Sequence, residues 1–155
     1  MTEYRLYEHF SPEELACRCG KCGLGQKNMS PSFMDKIEYL RVLSGIKMPV
    51  TSAVRCHNYN REVSKVKAFP PHTVIQLNKI DKGKPFCHAL DINIWGDELN
   101  ELLKHIYNIK KYGIVFTGIG LNQKGPYNKR FLHIDDLPAN IEKNIKIKRP
   151  WVWTY

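Results

Sequence analysis

No apolar run in these 155 residues approaches the roughly 18 that a membrane-crossing helix needs, so integral membrane association is not expected. The opening MTEYRLYEHF lacks the apolar stretch of a secretory signal, which points to synthesis in the cytoplasm. There is no internal repeat, no low-complexity segment and no HExxH pair, so solenoids, disordered tails and the helical zinc-protease signature drop out. The cysteines do not pair off either. Cys17, Cys19, Cys22, Cys56 and Cys87 make five, an odd number without an export signal, which argues against an all-disulfide framework and for thiols or metal ligands.

What is present fits one ordinary globular domain over residues 1–155, expected as a monomer: 43% of residues are hydrophobic and 25% charged. A chain of this length buries about two thirds of its unfolded surface, so it needs no metal merely to fold. The 24 Lys and Arg against 15 Asp and Glu give +9, which favours nucleic acid, anionic lipid or an acidic cell wall as a partner. An AT-rich genome produces the same Lys, Asn and Ile richness, so charge alone does not choose among them.

The local signals predict a mixed α+β chain. Ser11-Pro12-Glu13-Glu14 opens a short helix and Ser30-Pro31 a longer one, with Phe33, Ile37, Leu40 and Leu43 as its buried stripe and Gly45 as its stop. Met48 to Ala53 reads as a strand, and residues 89–94 alternate apolar and polar as a half-buried strand does. Leu99, Leu102, Leu103 and Ile106 form a helical stripe between Gly96 and Gly113, followed by strands at Ile114 to Leu121 and Phe131 to Ile134. Val74 to Phe86 is a polar-tipped excursion turning at Asp81-Lys82-Gly83. The expected architecture is a small antiparallel sheet with helices packed on it.

Of six histidines, His9 and His105 have ordinary surface settings. His72 follows Pro70-Pro71 in a loop, Asp91 is a carboxylate within an apolar strand, and His133 lies in another strand. A charged Asp in such a strand is costly unless it is paired or metal-bound. Two imidazoles and one carboxylate make a good zinc set that leaves a fourth position for water. The spacing by itself is equally that of unrelated core and surface side chains.

Longer segments narrow the choice. His9-Phe10-Ser11-Pro12-Glu13-Glu14-Leu15-Ala16-Cys17 is similar to an HFSxxEFxC opening, and Thr51-Ser52-Ala53-Val54-Arg55-Cys56 to a TSGYR strand. Asn60 and Val63 fall where NxxVGG is found. Residues 116–120 read FTGIG, residues 130–138 resemble RFxHxDDLP, and Arg149-Pro150-Trp151-Val152-Trp153 closes the series. In this order the segments resemble the M15 family of zinc peptidases, the D-alanyl-D-alanine carboxypeptidase and phage endolysin group that cuts peptidoglycan stem peptides.

The resemblance implies a fold of the hedgehog and D-Ala-D-Ala-peptidase kind and a zinc pattern SxHxxGxAxD followed by a distant His. His72, Asp91 and His133 are the matching metal ligands. His72 and Asp91 stand nineteen positions apart where the pattern has seven, which makes residues 74–86 an insertion of about a dozen residues, with Cys87 in place of a glycine. His88 is the rival first ligand, but in an extended strand it points away from Asp91, and His72 lies at the expected distance after Val63. Arg55 is implied to bind the substrate carboxylate or the developing oxyanion, a task suited to a permanently charged forked donor. Some relatives place a carboxylate three residues before the last histidine; here that residue is Arg130. Asp135 is the candidate catalytic base, with the alternative role of orienting His133.

Cys17, Cys19, Cys22 and Cys56 supply four thiolates, enough for a second, structural zinc beside Arg55. Their spacing is not a standard zinc knuckle, and free thiols or one disulfide stay open. The expected function is a zinc-dependent peptidoglycan peptidase, a carboxypeptidase or endopeptidase acting on stem peptides or cross-bridges. The expected setting is a phage or prophage endolysin that reaches the wall after lysis, holin release or virion delivery. A non-catalytic zinc module recognising wall peptides or a protein is the second reading. Nucleic-acid binding is not expected, since neither zinc-finger spacing nor a basic recognition helix is present.

Overall fold

The computed structural model describes residues 6–64, 70–77, 81–142 and 145–155. Residues 1–5 of the opening segment and 78–80 of the expected insertion lie outside the described residues. Four α-helices run over Pro12–Leu15 (α1), Pro31–Ser44 (α2), His57–Val63 (α3) and Gly96–Asn108 (α4). Strands occupy Val50–Ser52 (β1), Ile75–Gln76 (β2), Pro85–Phe86 (β3), Ala89–Ile92 (β4), Gly118–Asn122 (β5), Phe131–Asp135 (β6), Asn140–Glu142 (β7), Ile145–Lys146 (β8) and Trp151–Thr154 (β9). Among the described residues no helix is long and apolar enough to cross a membrane.

The helix starts follow their local chemistry. Ser11 Oγ accepts the Glu14 N–H while the Glu14 carboxylate accepts the Ser11 N–H, a reciprocal cap that opens α1. Ser30 Oγ accepts the Phe33 N–H ahead of Pro31 in α2, and Gly45 ends that helix in the left-handed conformation at φ 66°. The buried face of α2 is Phe33, Met34, Ile37 and Leu40, whereas Leu43 is 46% exposed. At ten residues past Phe33 it lies about 80° back around the helix, off the stripe assigned to it. The helix α3 was not anticipated; six of its seven residues remain exposed or half-exposed, so no apolar period marks it.

The expected α+β class holds, with a larger sheet than predicted. Five strands lie in the order β1-β4-β6-β5-β9. All neighbours are antiparallel except β5 and β9, which are parallel. The physical reason is the route of the chain: after β6 it passes through the β7–β8 hairpin, returns against the direction of β6 and docks beyond β5. The strand expected at Ile114 to Leu121 begins only at Gly118. The 74–86 excursion is a short antiparallel ribbon of β2 and β3. Its stem buries Ile75 and Leu77 against Leu137, and Lys82 sits at φ 56° in the turn.

Alternation along the strands gives the sheet two unlike faces. Leu90, Ile92, Ile119, Leu132 and Ile134 join Phe33, Ile37, Leu40, Leu102 and Ile106 in the main core beneath α2 and α4. Burying one such side chain is worth about 1.5–3 kcal/mol. The opposite face carries Asp91, His133, Asp135 and the glycines of β5.

Candidate metal centre

The register aligns one residue from each of four strands. Asp91 of β4 stands opposite His133 of β6, which stands opposite Gly120 of β5, which pairs with Trp153 of β9. His72, from the loop before β2, reaches the same place. Its Nε2 is 3.0 Å from Asp91 Oδ1 and 3.1 Å from His133 Nδ1, and His133 Nδ1 is 2.8 Å from Asp91 Oδ1. Three donor atoms from positions 72, 91 and 133 thus form a triangle with edges near 3 Å. A tetrahedral zinc with bonds of about 2.0–2.1 Å has ligand separations of about 3.3–3.4 Å, so the triangle fits such an ion after a small expansion.

The outer contacts aim the lone pairs inward. His72 Nδ1–H donates to the Ala53 carbonyl at 2.7 Å, which turns Nε2 inward as the nitrogen that would offer its lone pair to an ion. His133 Nε2–H donates to Asp135 Oδ2 at 2.9 Å, which leaves Nδ1 inward in the same way. Asp135 is fully buried and held by a fork from Arg149, Nε to Oδ1 at 3.0 Å and Nη2 to Oδ2 at 2.8 Å. Support of this kind fixes the ring orientation and raises ligand basicity.

Charge in the cluster is distributed by these contacts. Burial alone would raise the Asp91 carboxyl, but the charges of His72 and His133 and their hydrogen bonds hold it well below the usual carboxylate range. Burial pushes His72 down, against the pull of Asp91. Burial opposes charging of His133 as well, yet hydrogen bonds to Asp135 and Asp91 prevail and push it up to about 9. Asp135 is lowered to about 2 despite its burial, through its hydrogen bonds with His133 and Arg149. In the metal-free centre these contacts favour the charged form of His133, whose proton an ion would displace.

Arg55 is present but engaged. Its Nη2 donates to Asp91 Oδ2 at 2.9 Å and its Nε to Ser52 Oγ at 2.8 Å, while its backbone N–H donates to the His72 carbonyl at 2.7 Å. Among the described residues Nη1 takes no partner, and the side chain is 14% exposed. His88 lies elsewhere: its Nδ1 is 2.9 Å from Asp136 Oδ1, and its ring packs near Phe33. Arg130, three residues before His133, donates to the Gly125 carbonyl and stacks over Tyr127. Cys87 is buried and free.

Several contributors had no role in the sequence reading. Arg149 was quoted only as part of a closing segment. Trp153 lies with its ring 5.2 Å from that of His133, and a Cβ on Gly120 would come within 2.6 Å of its indole. A Cβ on Gly118 would come within 2.2 Å of the Asp135 carboxylate. The two glycines of FTGIG are therefore cradles for the two side chains that flank His133. Burial and the nearby Asp91 charge push the Tyr155 hydroxyl up to about 12, so it remains neutral. The sequence pattern G-x-G opposite an Asp-bearing strand was the available signal.

A second set, Cys17, Cys19, Cys22 and Cys56, also converges. The sequence profile of the family described as Peptidase M15 matches residues 8–135, a span that contains both sets. No curated protein and no solved structure gives a significant match.

Proposed function

Since the chain belongs to the M15 peptidases, with the matched span covering most of its length, we propose that it is a zinc-dependent hydrolase of peptidoglycan stem-peptide or cross-bridge amides. The observation that carries this reading is the triangle of His72 Nε2, Asp91 Oδ1 and His133 Nδ1, with no edge longer than 3.1 Å. These three residues would hold the ion. When bound, zinc would supply Lewis acidity to a scissile carbonyl and lower the pKa of bound water toward neutrality.

The protein groups have separate tasks. Arg55 pairs with Asp91 through Nη2 and offers Nη1 to a substrate carboxylate or to the oxyanion of the tetrahedral intermediate. Asp135 is committed to His133 and Arg149, so of its two candidate roles orientation fits its contacts better than proton abstraction. Trp153 walls the site on the β9 side and limits the approach of water from that direction. The net charge of +9 favours residence on an anionic wall. A phage or prophage endolysin, made in the cytoplasm and given access to the wall by lysis, holin release or virion delivery, is the setting proposed with this activity.

A second reading has its own support. The three ligand side chains are only 2–7% exposed and Arg55 is already paired, which suits a zinc module that binds wall peptides without cutting them. Incubation with purified muropeptides, followed by mass analysis of the fragments, separates the two. New termini that vanish with chelator and in the His133→Ala variant are expected. Full activity in a folded His133→Ala protein would sink the hydrolase reading, and peptide binding without new termini would select the module.

A further inference from the structure

The peptidase chemistry leaves all five cysteines unused, and four of them meet where the N-terminal segment touches the start of α3. The sulfurs of Cys17, Cys19, Cys22 and Cys56 all lie within 4.8 Å of one another, and those of Cys19 and Cys56 are 3.9 Å apart. A tetrahedral zinc with Zn–S bonds of about 2.3 Å separates its sulfurs by about 3.8 Å. All four thiols are free. A disulfide would draw two sulfurs to about 2.0 Å and leave the other two without a function.

The backbone around the sulfurs is arranged for thiolates. Each sulfur accepts at least one main-chain N–H: Cys17 from Cys56 at 3.3 Å, Cys19 from Lys21 at 3.4 Å, Cys22 from Leu24 at 3.4 Å and Cys56 from Tyr59 at 3.4 Å. Donors directed at sulfur stabilise negative charge, which four neutral thiols would not carry. Gly20 and Gly23 each follow a cysteine directly and adopt φ +67° and +69°. Space is open around both, so conformation and not crowding selects glycine there. Those two residues turn the Lys21 and Leu24 amides back onto the preceding sulfurs. Cys19-Gly20-Lys21 and Cys22-Gly23-Leu24 are therefore two repeats of one turn that directs an amide at a sulfur, although the spacing did not read as a standard knuckle.

We propose that Cys17, Cys19, Cys22 and Cys56 bind a second zinc ion in a closed four-thiolate site that clamps the turn after α1 onto the N-terminus of α3. With four protein ligands no coordination position is left for substrate, so the site is structural. Binding releases the thiol protons and ties Cys56 in place.

Zinc analysis of the purified full-length chain tests this independently of the peptidase reading. Two zinc per chain are expected in the parent protein, one in His133→Ala, and none when Cys19→Ser and Cys22→Ser are added. In His133→Ala, cobalt substitution should give intense thiolate-to-metal charge-transfer absorption, and the four thiols should resist alkylation until a chelator is added. If the serine variants do not fold, the His133→Ala measurements decide alone. A His133→Ala protein with no metal and freely reacting cysteines, or with a disulfide among them, overturns the proposal. One zinc in the parent, kept in His133→Ala, would support this site and sink the catalytic one.

Discussion

The two clusters capable of holding a metal are built by opposite means. The His72, Asp91 and His133 set is interior, comes from two sheet strands and a loop, and is aimed mainly by side chains, Asp135, Arg149 and Arg55, with the Ala53 carbonyl holding His72. The cysteine set lies nearer the surface, comes mostly from one short turn-rich segment, and is aimed by main-chain amides. Side-chain support in a buried site makes protonation and orientation adjustable, which suits chemistry. Backbone support makes a rigid, closed cage, which suits architecture.

The largest test of this contrast is a pair of substitutions in the metal-free protein. Asp91→Ala takes the carboxylate from Arg55, His72 and His133 together and should cost about 3–5 kcal/mol in equilibrium denaturation. Cys22→Ser, at an exposed position, should stay within about 0.5 kcal/mol. Equal losses would erase the distinction.

Acidity gives the next largest effect. His133 in the folded chain titrates at about 9, above its ordinary value of about 6.5. In the metal-free protein its stabilising pairs are fully present below about pH 6.5 and are lost as pH rises through about 9. An ion must displace the same proton, so zinc affinity at this centre should rise by up to about tenfold per pH unit across that window. Competition with a chelator in Cys19→Ser/Cys22→Ser protein measures it; a flat profile would mean that His133 carries no such proton.

A smaller change should separate orientation from ligation. Asp135→Asn should weaken zinc at the histidine centre by about 10–100-fold and leave the cysteine site unaltered. Unchanged affinity with lost hydrolysis would instead make Asp135 the base.

Much of the scaffold was legible from local signals. Ser30-Pro31 and Gly45 mark both ends of α2, because capping and left-handed glycine act within one turn. Alternation marked β4, a short strand was read at β6, and Asp91 and His133 were conspicuous as polar residues within them. His72 was suggested by its residue type and preferred over His88 only with the resemblance, since nothing in Pro70-Pro71-His72 announces that the loop bends over the sheet. Arg149 and Trp153 were invisible as site residues because their partners lie across β5 and β6, far from them in the chain. The small exposed helix α3 lacked an apolar period and was missed for that reason.

By itself the sequence determined which side chains share a face, because strand alternation and turn geometry are set by neighbours a few residues apart. The CxCxxC spacing left the state of the cysteines open; the left-handed Gly20 and Gly23 of the folded chain turn Cys19 and Cys22 toward one point. Only the tertiary structure decided that Asp91 would stand opposite His133, that His72 would close the triangle, and that β9 would lay Trp153 across Gly120. Those outcomes depend on register and docking between distant segments, where one residue of slip moves every side chain to the other face.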